Sequence, residues 1–329
     1  MKIENYISVL FAVTSILILL AGCSYPHDDK EDPPSKKQFA LEISVFYEGS
    51  WRLNGDDNAD YDLDPYIKEY LNSGVGRHLI RIYKASDVSF NAIPVAILEL
   101  EKAIEGYSYN YTISLSLPEG NYVAKAWTDF RESSATEPYY NISKFPHIML
   151  DHHSGLTGYQ DTFSGTQSFE VDCKTSSIEI SMKRPVGKYL LINKDFSKFL
   201  DETSFSIDEV YILAYYTGFY PDTYSVITDR LTDSLTGEYY IVQPEFLTDG
   251  SAIIATDFML MNSGGSSAVL QLRMVDKKGE TIASSESISI PMNRNEITII
   301  KRNLLKASSG VGGGFDIDTG FDGDFNITP

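Results

Sequence analysis

Few residues of this 329-residue chain combine the types and spacing that catalysis or metal binding needs. The single histidine cluster consists of His147, Asp151, His152 and His153. Adjacent residues of a strand point to opposite faces, so His152 and His153 are poorly placed to bind one metal ion together. The sequence also lacks a Gly-x-Ser-x-Gly nucleophile elbow and a His-Glu-x-x-His zinc motif. We therefore expect a protein that is not an enzyme and has no cofactor and no metal site.

One acidic segment has part of a calcium-loop pattern. Asp56, Asn58 and Asp60 occupy the first, third and fifth positions of such a loop. Tyr61 stands where the loop requires glycine, and Ile67 stands where it requires a bidentate glutamate. An ordinary acidic loop therefore explains these residues better than a calcium site.

The two cysteines, Cys23 and Cys173, cannot build a disulfide framework. Cys173 follows a predicted strand and has no histidine near it in sequence. We expect it to be a small packed side chain rather than a nucleophile.

The charge balance excludes one class of partner. The chain has 27 Lys and Arg against 46 Asp and Glu, which gives a net charge of −19. Such an excess of carboxylates repels phosphate backbones, so nucleic acid is not an expected partner. Hydrophobic residues make up 43% and aromatic residues 12%, which is typical of a folded chain.

The N-terminus predicts export and lipid attachment. An apolar run covers residues 7 to 20, which as a helix reaches about 21 Å, short of the roughly 30 Å of a bilayer core. Leu20-Ala21-Gly22-Cys23 follows it and resembles the lipobox of bacterial lipoprotein precursors. We predict a signal peptide over 1–22, lipidation of Cys23 and an acidic tether over 23–37. The acids of this tether are either a plain solvated linker or a surface-export signal, and the sequence leaves both open.

Beyond the tether, apolar and polar residues alternate with period two, which predicts antiparallel sheet with one solvated face. The alternating apolar sets are Leu41, Ile43, Val45; Ile113, Leu115, Leu117; Ile178, Ile180, Met182; Leu270, Leu272, Met274; and Ile288, Ile290. Helix signals are short and cover only 64–71 and 195–201. The pattern predicts an all-β protein built as β-sandwiches. Pro185 and Gly187 mark a boundary, so we predict an N-terminal sandwich over 38–184 and a C-terminal sandwich over 185–329.

Several motifs in a fixed order resemble fimbrillin-like surface lipoproteins of Bacteroidetes, which are related to type V pilus subunits and anchors. The motifs are Leu117-Pro118-Glu119-Gly120-Asn121-Tyr122, Trp127-Thr128-Asp129-Phe130, Tyr139-Tyr140-Asn141, Asp161-Thr162-Phe163-Ser164-Gly165, Lys183-Arg184-Pro185, Gly218-Phe219-Tyr220-Pro221, Pro291-Met292-Asn293-Arg294-Asn295 and Phe321-Asp322-Gly323-Asp324. The resemblance implies two tandem transthyretin-like, Greek-key β-sandwich domains, a lipid anchor in the outer membrane at the cell surface, and other fimbrial subunits as partners. It implies no catalytic residue.

The C-terminal segment 310–329 begins with a glycine-rich hinge. Apolar and acidic residues then alternate over 315–327, which spans roughly 43 Å if extended. The apolar row of this candidate donor strand is Phe315, Ile317, Phe321, Phe325 and Ile327. The strand either leaves to fill the groove of another subunit or completes the C-terminal sandwich of its own chain. In proteins of the resembled family a protease opens the acceptor groove, and Arg77 is the candidate cleavage point here.

Two functions remain open. The first is a fimbrial subunit, anchor or tip adhesin that assembles through β-strand complementation. The second is a surface glycan-binding lipoprotein, which the chain's 22 tyrosines and the pairs Tyr139-Tyr140, Tyr215-Tyr216 and Tyr239-Tyr240 suggest. One ring of each pair is expected to face the core and the other to face outward.

Overall fold

The computed structural model describes residues 37–47, 51–55, 74–89, 91–104, 111–151 and 158–307, and this part of the chain is nearly all β. The predicted signal peptide, Cys23, most of the tether, the 64–71 helix and the 310–329 segment lie outside the described residues. No helix within the described ranges is long and apolar enough to cross a membrane.

The strands in chain order are β1 (Gln38–Tyr47), β2 (Arg52–Gly55), β3 (Val75–Lys84), β4 (Ala96–Ala103), β5 (Tyr111–Pro118), β6 (Gly120–Arg131), β7 (Tyr140–Asn141), β8 (His147–Leu150), β9 (Thr162–Val171), β10 (Ser177–Met182), β11 (Val186–Asn193), β12 (Val210–Tyr216), β13 (Tyr220–Ser225), β14 (Arg230–Leu235), β15 (Tyr239–Val242), β16 (Glu245–Phe246), β17 (Ala252–Leu260), β18 (Ser266–Asp276), β19 (Thr281–Ser284), β20 (Ile288–Met292), β21 (Glu296–Arg302) and β22 (Lys306–Ala307). One α-helix, α1 (Phe196–Thr203), and two short 3₁₀ helices, Gly158–Gln160 and Ile207–Glu209, interrupt them.

An N-terminal sheet pair contains a three-stranded sheet, β10-β1-β5, and a four-stranded sheet, β4-β3-β6-β9. Their facing side chains form one hydrophobic core, with Leu41, Ile43 and Val45 of β1 against Ile80 and Ile82 of β3. The predicted alternation of β1, β5 and β10 is confirmed, because their polar partners face away from this core.

A C-terminal sheet pair packs β16-β17-β11-β21-β2 against β15-β12-β18-β19-β22, with β20 also paired to β18. Its core contains Tyr189 of β11, Ile212 of β12 and Leu272 of β18. The predicted short helix is present as α1, which buries Phe196 and Leu200 in the same core and ends at Ser204 in the left-handed conformation.

A fifth sheet, β14-β13-β8-β7, joins chain segments from the two sides of the predicted 184/185 boundary. We call it the bridging sheet. In it, β8 pairs antiparallel with β13. In addition, β2 pairs parallel with β21 and so extends a sheet of the C-terminal pair with an N-terminal segment. The described residues from Phe39 onward form one compact unit.

Two central strands, β11 and β17, are buried on both faces. Tyr189 and Leu191 of β11 face the C-terminal core, whereas Leu190 and Ile192 belong to a second cluster on the opposite face. A strand covered on both faces has no polar side and therefore no period-two pattern.

Candidate strand-docking site

The N-terminal sheet pair has one closed side and one open side. On the closed side the two sheets are linked by an isolated bridge between Ser164 of β9 and Lys183, just after β10. On the other side the sheets end in the edge strands β4 and β5, and no backbone ladder joins these two strands within the described residues. We call this opening the seam. The sheet that ends in β5 has three strands and the facing sheet has four, and no strand of the described ranges pairs with the outer edge of β5.

Apolar side chains along the seam are only partly covered. Leu98 and Leu100 of β4 and Ile113 and Leu115 of β5 pack against the N-terminal core but remain half-buried. By contrast, residues at matching depth in the central strands, such as Ile43, are fully buried. Beside the seam lies a recess of about 670 Å³, lined by residues of β1, β4 and the start of β5: Ser44, Val45, Phe46, Leu100, Lys102, Tyr111 and Thr112. The seam therefore leaves part of the apolar face of both edge strands uncovered.

The outward faces of the two edge strands differ in charge. On β5 the outward side chains are the hydroxyl-bearing Thr112, Ser114 and Ser116. On β4 they include Glu99 and Glu101, and Glu101 accepts hydrogen bonds from the Arg131 guanidinium at 2.6 Å. A strand whose outward face is acidic is therefore compatible with β5 and is repelled by β4, because like charges on neighbouring strands destabilise a sheet.

A buried polar cluster lies at the inner wall near the seam. His78 Nδ1 lies 2.9 Å from the Tyr47 hydroxyl and 3.0 Å from the Thr128 hydroxyl. Burial, with a smaller effect of nearby Lys102, lowers the pKa of His78 to about 4. The imidazole is therefore neutral at physiological pH and carries no charge into the core.

Arg77 lies in the middle of β3 rather than in an exposed loop. Its guanidinium donates to both carboxylate oxygens of Asp129, at 2.8 and 2.6 Å, and to the Tyr140 carbonyl at 2.6 Å. On either side β3 is hydrogen-bonded to β4 and β6. A protease could reach the Arg77 peptide bond only after β3 had left the sheet, and processing at Arg77 stays a prediction.

The histidine cluster is only partly described. His147 begins β8 and Asp151 follows that strand, whereas His152 and His153 lie outside the described residues. The prediction for Cys173 is wrong, because its side chain is exposed. The cause is local: the Asp172 carboxylate accepts hydrogen bonds from the backbone N–H of Lys174 and Thr175 and holds Cys173 at the tip of a turn.

The sequence analysis missed a buried ion pair at the boundary. Arg184 Nε lies 3.0 Å from both oxygens of the Asp161 carboxylate. The guanidinium carbon of Arg184 lies 4.5 Å from the ring centres of Trp51 and of Phe163, so the cation sits between two aromatic faces. These residues join β2, the start of β9 and the segment before β11. Arg184 belongs to the Lys183-Arg184-Pro185 motif, but the sequence alone does not show that Asp161 is its partner.

A second missed feature is the carboxyl group of Asp257 on β17, which lies among tyrosines in the C-terminal core. Its Oδ2 accepts a hydrogen bond from the Tyr216 hydroxyl at 2.7 Å, and the Tyr220 hydroxyl lies 3.4 Å away. The Tyr189 hydroxyl bonds in turn to those of Tyr216 and Tyr240, at 2.8 and 2.6 Å. Burial raises the pKa of Asp257 to about 7.

Each tyrosine pair has one buried ring, but Tyr139 packs against the same cluster as Tyr140, so the predicted core-and-outward split fails for that pair. Tyr140, Tyr216 and Tyr240 are buried, and the preceding tyrosine of each pair is less buried. Tyr215 and Tyr239 lie opposite each other on β12 and β15, with ring centres 5.5 Å apart and planes inclined by 28°. The Arg273 guanidinium carbon lies 5.5 Å from the Tyr215 ring centre.

The comparison with protein families gives a match over residues 59–328 to a family of unknown function, DUF6562. The chain belongs to this family. No curated protein matches the sequence.

Solved structures of Bacteroidetes surface proteins are similar to this fold. An adhesin candidate from Bacteroides thetaiotaomicron is 14% identical, with a TM-score of 0.43, and the match covers 84% of this chain and 97% of that one. The fimbrial anchor protein Mfa2 from Porphyromonas gingivalis is 11% identical at a TM-score of 0.37, covering 75% and 82%. The tip fimbrial protein Mfa3 from the same organism is 10% identical at 0.39, covering 78% and 81%.

These neighbours are of the same class as the proteins that the sequence motifs of this DUF6562 member resemble. At such identities and TM-scores, the likeness carries no conclusion about function.

Proposed function

We propose that the chain is a non-enzymatic surface lipoprotein that serves as a fimbrial subunit, anchor or tip adhesin and assembles through β-strand complementation. The observation that carries this proposal is the seam, where a three-stranded sheet faces a four-stranded one and leaves apolar side chains half-buried. A donated strand beside β5 would cover these side chains and give the edge a hydrogen-bonding partner. The two sheet pairs would then correspond to two tandem transthyretin-like sandwiches.

The C-terminal segment of a second copy has the chemistry that this position needs. Its apolar row would enter the seam, and the acids between would face outward beside Thr112, Ser114 and Ser116 of β5. The thirteen residues of 315–327 exceed the eight of β5, so the segment is long enough to cover that strand. The last described strand, β22, ends at Ala307, and the glycine-rich hinge lies between it and this segment.

Membrane attachment completes the proposal. A lipid on Cys23 would hold the chain in the outer membrane, and β1 begins fifteen residues later at Gln38. An extended tether of this length reaches about 50 Å. That distance allows the folded part to stand clear of the membrane surface and meet other subunits.

Deletion of residues 315–329 tests strand donation. Every described strand is retained in this variant, so we expect unchanged circular dichroism and loss of the oligomer ladder on non-boiled gels. Unfolding of the C-terminal sheet pair would instead show that the segment completes its own domain.

Single substitutions refine the same test. Phe321→Glu should weaken the ladder because it places a charge in the apolar row, whereas the adjacent Asp322→Asn should leave the ladder intact. Equal effects of the two substitutions would argue against an apolar face that enters a groove.

The anchor has a separate test. Cys23→Ala should abolish labelling of the chain by a radioactive fatty acid and release the protein from the membrane fraction. Unchanged labelling would exclude Cys23 as the acylated residue.

A further inference from the structure

The outward face of β12 and β18, on the far side from the C-terminal core, contains a small pocket. Leu213 and Val275 form its floor and are only 6% and 3% exposed, although both point away from that core. The walls are formed by Tyr211, Tyr215, Ile241, Arg273 and Gly279. The pocket lies on the C-terminal sheet pair, so it is separate from the seam of the N-terminal pair.

Arg273 gives the pocket a positive charge that lacks a carboxylate partner. It lies directly opposite Leu213 in the ladder between β12 and β18, and its guanidinium stacks on the Tyr215 ring. Among the described residues, none forms a salt bridge with this guanidinium, and the Arg273 side chain is half-buried. The chain has 46 acidic side chains, so an unpaired arginine beside an apolar floor is a group available to an external anion.

The size of the pocket limits what can enter it. Its volume is about 50 Å³. A cavity that accommodates benzene has about 150 Å³, so this pocket takes a methyl or acetyl group and no aromatic ring. The phenylalanines of the 315–327 segment and the exposed Phe219 of a second copy are therefore too large.

Backbone hydrogen bonding disfavours a peptide as the ligand. β12 pairs with β15 on one side and β18 on the other. β18 itself pairs with β19 and β20 on its second side. A peptide that crossed this face would find no free strand edge for its own N–H and C=O groups. A ligand with hydroxyl groups needs only side-chain partners, and two of the residues that line the pocket, Tyr211 and Tyr215, have hydroxyl groups that can donate and accept.

We propose that this pocket binds a terminal sugar residue that carries both an N-acetyl group and a carboxylate. The acetyl methyl group contacts Leu213 and Val275, and the carboxylate accepts hydrogen bonds from the Arg273 guanidinium. The sugar hydroxyls bond to the tyrosine hydroxyls. The face of Tyr215 is already covered by Tyr239 and Arg273, so recognition depends on the acetyl and carboxylate groups rather than on ring stacking.

Titration calorimetry of the full chain in detergent with the α-methyl glycoside of N-acetylneuraminic acid tests the proposal. We expect saturable binding. Arg273→Ala should weaken it at least about tenfold, the loss typical of a charge-assisted contact. Arg273→Lys should retain part of the affinity, because one donor can still reach the carboxylate. Arg230→Ala, which removes an exposed arginine of β14 on the bridging sheet, is the matched control and should bind as wild type does.

Two simpler sugars separate the two contacts. The methyl glycosides of N-acetylglucosamine and of glucuronic acid each lack one group, and both should bind more weakly than the complete ligand. The proposal is overturned by absence of binding to wild type, by full affinity in Arg273→Ala, or by Arg273-dependent binding of a peptide with the 315–327 sequence in place of the sugar. Deletion of 315–329 should leave sugar binding unchanged. Sugar binding and the oligomer ladder therefore test the pocket and strand donation independently.

Discussion

At the residue scale, Asp257 couples the C-terminal core to pH. Its raised pKa of about 7 compares with about 3.9 in an unfolded chain. Between about pH 4 and pH 7, the Asp257 carboxyl group is protonated in the folded protein and ionised in the unfolded chain. Stability from this group is therefore complete below pH 4 and is lost as the pH rises to 7, by an amount on the order of a few kcal/mol.

Asp257→Asn isolates this effect, because the amide cannot ionise. The variant should be less stable than wild type at pH 5: if the Asn oxygen keeps the bond from the Phe258 backbone N–H, the amide NH2 group replaces the oxygen that accepts from the Tyr216 hydroxyl. The difference between the two proteins in free energy of unfolding should shrink as the pH rises from 5 to 8. Urea denaturation of both proteins at several pH values measures this difference in free energy of unfolding. A difference that stays constant over this range would show that Asp257 is ionised throughout.

Arg77 and Asp129 form the second residue-level case. Burial is the main cause that raises the pKa of Asp129, and the bonds from Arg77 oppose it. Arg77→Ala leaves this carboxylate buried without its cation, so we expect a loss of about 3–5 kcal/mol in free energy of unfolding. Lys198→Ala removes a cation from the exposed pair with Glu202 and should cost at most about 0.5 kcal/mol. Similar losses of free energy of unfolding in Arg77→Ala and Lys198→Ala would show that burial of the Asp129 carboxylate does not raise the cost of removing its cation.

At the scale of the element, β4 supplies a matched pair of substitutions for the seam. Leu98 faces the seam and Ile97, the next residue, is 52% exposed on the opposite face. Leu98→Lys places a charge where a donated strand would pack and should weaken the oligomer ladder at least about tenfold. Ile97→Lys adds the same charge to the same strand and should leave the ladder unchanged. Both variants should keep the thermal stability of wild type to within a few degrees.

A ladder that survives Leu98→Lys in a folded protein would exclude the seam as the acceptor. A ladder lost in both variants would indicate that the outer face of β4, and not the seam, makes the contact between subunits.

The strands that the sequence predicted share one property, which is a single buried face. In β1, β10 and β20 the apolar residues alternate with exposed polar ones, so the pattern reports the burial directly. The helix α1 was predicted for a similarly local reason. The outward-facing Tyr215 and Tyr239 also followed from strand geometry alone.

The parts that escaped prediction depend on contacts between distant segments. β17 buries both faces and includes Asp257, so neither alternation nor composition reveals its position. The parallel pairing of β2 with β21 joins residues more than 240 positions apart, and no local signal specifies such a partner. The seam itself is a difference in strand number between two sheets, which becomes visible only when all the strands are placed.

At the scale of the whole molecule, the segments on the two sides of the predicted 184/185 boundary share a hydrophobic cluster and a β-sheet. One hydrophobic cluster combines Leu79 and Trp127 from the N-terminal side with Val186, Tyr224 and Phe258 from the C-terminal side. The bridging sheet draws two strands from each side, and the Arg184 guanidinium, at the end of the N-terminal side, donates a hydrogen bond to Asn295 Oδ1 of the C-terminal side at 2.8 Å. Neither half can therefore bury this surface or complete this sheet alone.

We accordingly expect the two halves to unfold together. Calorimetry of the intact protein should give one transition whose van't Hoff and calorimetric enthalpies agree. The fragment 185–329 expressed alone lacks β2, β7 and β8 and leaves Phe258 without its partners, so it should lack a cooperative transition. Adding the separately produced 38–184 fragment should restore a transition if the missing strands are the cause. Two resolved transitions in the intact chain, or a stable isolated 185–329 fragment, would show that the bridging sheet and shared cluster contribute little to stability.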